Sequence, residues 1–112
     1  MSLPVTGKLV RDLIPEIISN SGKVPVTCQV SGNDLYQALK LKAREEVDEL
    51  FEAESAELLE EIADVYEVLL SLVRSQNKDW SEIENIATSK RNKRGGFNDG
   101  QWLLETKDAT DL

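Results

Sequence analysis

The chain has no histidine and only one cysteine, Cys28. The first absence excludes imidazole metal ligands, Ser-His triads and histidine general bases, so any proton transfer falls to other groups. The second excludes an internal disulfide. The opening residues also lack the charged-then-apolar pattern of an export signal, so a reducing, cytoplasmic setting is expected. Positive charge is scarce: 13 Lys+Arg against 21 Asp+Glu leave a net charge of −8. A surface of that sign repels a phosphate backbone, so nucleic acid is not an expected partner. No apolar run is long and pure enough to span a bilayer, and no membrane association is expected. With 112 residues, the chain reads as one domain over 1–112, with a modest core.

What is abundant is helical periodicity. After an extended lead-in over residues 1–10, Leu13, Ile14, Ile17 and Ile18 share a face of a short helix over 11–20, with Pro15 near its start and Gly22 closing it. Val24, Val26, Cys28 and Val30 alternate as in a strand. Ser31 to Asp34 read as a turn and helix cap. Leu35, Leu39, Ala43, Val47, Leu50 and Phe51 then form the stripe of a helix over 35–53. Ser55 is placed to cap the next helix, over 56–75. Its apolar residues cover most of its circumference, which predicts burial on all sides. So short a chain has too few elements to cover it, so a second subunit is expected to do so. A third long helix is expected over 80–90, capped by Asp79 or Ser81, and Gly95-Gly96 ends it. Residues 97–104 read as a short strand. The expected fold is therefore mainly all-α: a helical bundle completed by oligomerisation to a dimer or tetramer, with short peripheral β segments near 24–30 and 97–104.

Two acidic clusters stand out on these helices: Glu45-Glu46-Val47-Asp48-Glu49 and Glu60-Glu61-Ile62-Ala63-Asp64. Each holds a pair three residues apart, Glu46 with Glu49 and Glu61 with Asp64, and such pairs share a helix face. Two helices turning these faces together would surround one small volume with four carboxylates, which repel unless a hard divalent cation lies among them. An all-oxygen set suits Mg²⁺, Mn²⁺ or Ca²⁺ rather than Zn²⁺. The plainer alternative is a solvated acidic surface, which is the better reading for Glu45, Asp48, Glu52, Glu54 and Glu57. Glu61 and Asp64 resist it, because their helix has little polar face and buried carboxylates need a partner. A salt bridge or cap is the other way to satisfy them, with Arg44 the nearest cation in sequence and Arg74 more than a turn away.

Glu-Glu-x-x-Glu followed by Glu-x-x-Asp resembles the all-α nucleoside triphosphate pyrophosphohydrolases, which include the MazG-like enzymes, the dimeric dUTPases and phosphoribosyl-ATP pyrophosphohydrolase. Residues 8–18, from Lys8-Leu9-Val10-Arg11-Asp12 to Ile17-Ile18, look like the opening of a phosphoribosyl-ATP pyrophosphohydrolase-like branch. Lys90-Arg91-Asn92-Lys93-Arg94-Gly95-Gly96-Phe97 looks like its closing motif. Together these matches cover about residues 7–104. The resemblance implies Mg²⁺, with Mn²⁺ as the alternative ion, held by Glu46, Glu49, Glu61 and Asp64. It implies that Glu45 acts as a catalytic helper that orients a ligand or the attacking water. The implied reaction splits the α–β phosphoanhydride of a nucleoside triphosphate into a monophosphate and pyrophosphate, a possible cleansing of nucleotide pools.

That chemistry gives the basic segment a purpose. Lys90, Arg91 and Arg94 would hold phosphate oxygens left exposed by the metal, and Gly95 and Gly96 would let backbone N–H groups approach them. The plainer reading is a solvated helix end, where cations favour the dipole. Lys8 and Arg11 are further phosphate candidates, although Arg11 could pair with Asp12 or Glu16. Trp80 and Trp102 could stack a base, but core packing is the first expectation for each. Two other readings compete: a non-catalytic nucleotide-binding or interaction module of the same fold, and a purely structural acidic helical protein. Eleven residues separate Glu49 from Glu61, which leaves little room for a base-reading insert. The preferred base and sugar are not legible.

Overall fold

The computed structural model describes residues 3–111; Met1 and Ser2, part of the expected lead-in, and Leu112 lie outside the described residues. Among those described, all regular structure is helical: α1 (Ile14–Asn20), α2 (Gly32–Glu52), α3 (Leu58–Ser75) and α4 (Trp80–Arg94), with 3₁₀ turns at Ser55–Glu57 and Ala109–Asp111. The chain divides into two compact units, Met1–Trp80 and Ser81–Leu112. No helix is long and apolar enough to cross a membrane.

In the first unit, α1 begins three residues later than the periodicity suggests. Pro15 lies in its first turn, where a missing N–H costs no helical hydrogen bond. Arg11 therefore stays in the turn before the helix, where its carbonyl accepts the N–H of Ile14 at 3.0 Å. Gly22, at φ +89°, closes the far end as expected.

Residues 24–30 form no strand. Alternation qualifies a segment for a sheet, but a strand exists only when a neighbour completes its ladder. Among the described residues nothing does so: Val24 and Val26 are almost wholly exposed. Pro25, in the middle of the run, also removes a donor. The strand expected over 97–104 fails in the same way, with Phe97, Trp102, Leu103 and Leu104 bare.

The core of the first unit is the packing of α2 on α3, an antiparallel pair joined through Ala53, Glu54 and the 3₁₀ turn. Ser31 takes the N-cap position of α2 in extended conformation, but its side chain makes no cap hydrogen bond; Gly32 supplies the positive φ of +57° that turns the chain into the helix. Ser55 likewise does not cap α3 through its side chain.

The expected stripe of α2 is only partly buried. Ala38 and Leu39 are inside, whereas Val47 is half exposed and Phe51 mostly exposed. Residues four apart advance about 400°, some 40° past a full turn, so a row stepping by four winds round the helix. From Leu35 to Phe51 it has moved roughly 160° and faces away from α3. The position kept against α3 late in the helix is Glu46, buried at 7% exposure.

α3 is not covered on all sides within one chain. Val68 is buried, but Leu58, Leu59, Ile62, Tyr66 and Leu69 are exposed by 42%, 79%, 45%, 44% and 39%. Tyr66 receives Trp80 edge-on, with ring centroids 5.1 Å apart, so Trp80 packs as expected.

In the second unit, α4 carries Arg91, Lys93 and Arg94 in its last turn, and Ile83 and Ile86 are exposed. Gly95, at φ +83°, donates its N–H to the Arg91 carbonyl at 2.8 Å and stops the helix.

Candidate metal centre

The packing of α2 on α3 gathers acids from both helices. Glu46, Glu61 and Asp64 each present one oxygen, and the three oxygens lie within 4.8 Å of one another. Two oxygens bound to one Mg²⁺ or Ca²⁺ ion at about 2.0–2.6 Å can be at most roughly 4–5 Å apart, so the trio fits a single hard cation. Glu61 lies in the first turn of α3, where the helix dipole favours a carboxylate, and Asp64 follows one turn later on the same face.

Two oxygens point to what the site lacks from the protein. Glu46 Oε2 and Glu61 Oε2 are buried and have no hydrogen-bond partner. A buried carboxylate oxygen without a donor carries its full desolvation penalty, and a cation is the partner that relieves it. The electrostatics agree. The Glu61 carboxyl is held above its usual range, first by burial and then by the charges of Asp64, Glu46, Glu57 and Glu60. Glu49 is also raised: in its protonated form it can hydrogen-bond Glu46, whose negative charge adds to the effect, followed by partial desolvation and the charges of Glu61 and Glu45. Glu49 thus borders the trio electrostatically from an exposed position rather than joining the group of three.

Protein cations meet Asp64 Oδ1 and Glu46 Oε1. Arg11 Nη2 donates to Asp64 Oδ1 at 2.8 Å. The expected pairing of Arg11 with Asp12 or Glu16 is not formed, because Arg11 precedes α1 and its side chain crosses to α3. Lys42 Nζ lies 3.1 Å from Glu46 Oε1 and 3.4 Å from Glu45 Oε2. Burial lowers the Lys42 pKa, but hydrogen bonds and the charges of Glu46 and Glu45 outweigh it and leave the value raised. Lys8 Nζ lies 3.6 Å from Glu45 Oε1. Both oxygens of Glu45 thus face lysines, which suits it to holding Lys42 and Lys8 in place. The cations that meet these acids are Arg11 and Lys42, not Arg44 or Arg74. Lys42 was legible locally, three and four residues before Glu45 and Glu46.

The remaining sequence candidates belong to the second unit. Lys90, Arg91, Arg94, Gly95 and Gly96 are all exposed. Gly95 has a structural duty as the helix stop, and Gly96 has no positive φ. Trp102 is 85% exposed, not packed in a core, because the segment carrying it lacks the neighbours a strand would have.

A cavity of about 420 Å³ adjoins the carboxylates, between α2, α3 and residues 9–12. Its lining includes Glu46, Asp64, Leu35, Leu39, Val68 and Arg74. No single-sequence pattern marked it, because it exists only in the register of one helix against the other.

No family model matches the chain. An uncharacterized protein of Mycolicibacterium smegmatis is 46% identical over 48 residues, which is 43% of this chain and 49% of that protein. The chain therefore matches about half the length of that relative. No solved structure matches.

Proposed function

We propose that the protein is a metal-dependent nucleoside triphosphate pyrophosphohydrolase that uses Mg²⁺, with Mn²⁺ as a substitute. The observation that carries this reading is the pair of orphaned oxygens, Glu46 Oε2 and Glu61 Oε2, inside a trio of acids with the spacing of a hard-cation site. Glu46, Glu61 and Asp64 would hold the ion, and Glu49 would join from the rim. The resemblance of the three sequence blocks to the all-α pyrophosphohydrolases supplies the reaction class. When bound, the metal would neutralise phosphate oxygens and the pyrophosphate leaving group, and lower the pKa of a coordinated water.

This chain's own residues then have distinct tasks. The carboxylates orient the phosphates through the ion they share. Arg11, already at the cluster, is placed to take a phosphate oxygen in exchange for Asp64, and its planar guanidinium suits that geometry. Glu45 keeps Lys8 and Lys42 beside the site.

The bare apolar surface supports self-association. Leu59, Ile62, Tyr66 and Leu69 of α3 are exposed in the single chain, and a bare apolar helix face is the kind of surface a subunit interface covers. A cytoplasmic setting belongs to the same proposal.

The test is pyrophosphate release from a panel of canonical and modified nucleoside triphosphates. Asp64→Ala is expected to lose at least a hundredfold in rate while remaining folded by circular dichroism. Full activity in that variant would refute the assignment. Calorimetric binding of nucleotide with Mg²⁺ but without turnover would point instead to a non-catalytic nucleotide-binding module.

A further inference from the structure

We infer that the groove between α2 and α3 is the seat of the substrate's nucleoside, and that Ser71 and Arg74 read its far end. This rests on the metal–triphosphate reading of Glu46, Glu61 and Asp64 and extends it to the part of the substrate that carries identity.

The argument begins with register. On α3, Asp64, Val68, Ser71 and Arg74 recur at steps of three or four and form one stripe. On α2, Leu35, Leu39, Lys42 and Glu46 do the same. Antiparallel packing sets Glu46 near Asp64 at one end, so Leu35 and Arg74 lie toward the other; all of these line the same cavity. Ten residues of helix from Asp64 to Arg74 span about 15 Å. The groove is therefore long, with Glu46 and Asp64 and their partners Lys42 and Arg11 at one end, Arg74 toward the other, and Glu67 on the wall between them.

Its middle is a different environment. Leu39 and Val68, both buried, wall it. A volume of about 420 Å³ falls within the range of about 300–1,000 Å³ usual for small-molecule sites, which pair an apolar lining with a few polar groups. One class of ligand meets all of these demands. Its polyanionic end needs the metal cluster, the flat faces of its base fit between aliphatic side chains, and the edge of that base bears hydrogen-bonding groups. That is a nucleoside triphosphate entering with its phosphates at Glu46 and Asp64. The base then lies along Leu39 and Val68, and Arg74 and Ser71 meet its polar edge. An arginine donates to base carbonyl and ring-nitrogen acceptors, which predicts a preference among bases rather than indifference.

The decisive comparison uses wild type, Ser71→Phe, whose ring would fill the groove, Arg74→Ala, and a control at Asp48, outside the groove. Steady-state kinetics are measured with four ribo- and four deoxyribonucleoside triphosphates in Mg²⁺. Ser71→Phe is expected to raise KM for the preferred nucleotide at least tenfold, and Arg74→Ala to flatten the preference between bases. Calorimetry with nucleoside monophosphates, which need no turnover, should show binding to wild type and its loss in Ser71→Phe. Unchanged KM and monophosphate affinity in a folded Ser71→Phe protein would overturn the groove assignment while leaving the hydrolase reading intact. Absence of pyrophosphate release from wild type would overturn the hydrolase reading alone. The groove would then stand or fall on monophosphate binding: no binding of any monophosphate overturns it.

Discussion

At the scale of single residues, the centre is an arrangement of charges at odds with one another. Glu46, Glu61 and Asp64 crowd together, with Glu49 at their edge, and Lys42 and Arg11 offset only part of the repulsion. Glu49 and Glu61 consequently bind protons more tightly in the folded chain than in the unfolded one, where the ordinary value is 4.5. The sign follows from linkage: the folded state holds more protons, so stability from these two groups is complete below the unfolded pKa and is lost as pH rises through the raised folded values. In chelator-treated protein, melting temperature should therefore gain from Glu61→Gln at neutral pH and gain nothing at pH well below 4.5. Saturating Mg²⁺ should raise the melting temperature of wild type by several degrees at neutral pH, since a ligand that binds only the native state must stabilise it. A Glu61→Gln protein less stable than wild type at neutral pH without metal would contradict the crowding argument. Arg11 shows how a residue's role depends on its place in an element. Because α1 begins only at Ile14, Arg11 escapes the helix and reaches Asp64, 53 residues away in sequence.

At the scale of elements, α2 and α3 hold the centre and the groove in one geometry, and few side chains lock them. Ala38, Leu39, Val68 and Glu46 are the buried residues of the pair. Leu39→Ala removes a buried branched side chain from so small a core, and about 2–5 kcal/mol of stability should be lost. Urea unfolding would measure this, with the midpoint falling and the slope unchanged; a change under about 0.5 kcal/mol would mean that the α2–α3 contact is not the core. The elements also show where period reading holds and where it slips. Helix existence was legible from spacing because a helix closes its own hydrogen bonds. The segments at 24–30 and 97–104 had the right alternation, but a strand depends on a partner that local sequence does not specify. The α2 stripe was legible at Leu35 and Leu39 but drifted off the core by Phe51, since steps of four overshoot the helical period.

At the scale of the whole molecule, the bare face of α3 leads to one expectation. Light scattering should give a mass of two or four times the 12.5 kDa of one chain. Leu59→Lys, at a position 79% exposed in the single chain, should weaken association at least tenfold. A monomeric wild type at micromolar concentration would count against it. The local sequence was enough for the helical class, the i,i+3 pairing of Glu61 with Asp64, the place of Pro15 in the first turn of α1 and the glycine stops at Gly22 and Gly95, because each depends on backbone geometry within a few residues. Folding in three dimensions was needed for everything that joins distant residues: Glu46 rather than Glu49 in the trio, Arg11 on Asp64, Lys42 as the central cation, and a groove running from the carboxylates toward Arg74. Such contacts arise from the register of α2 against α3 and the path of residues 9–12, and register is set by the packing of two surfaces, not by the order of residues along either one.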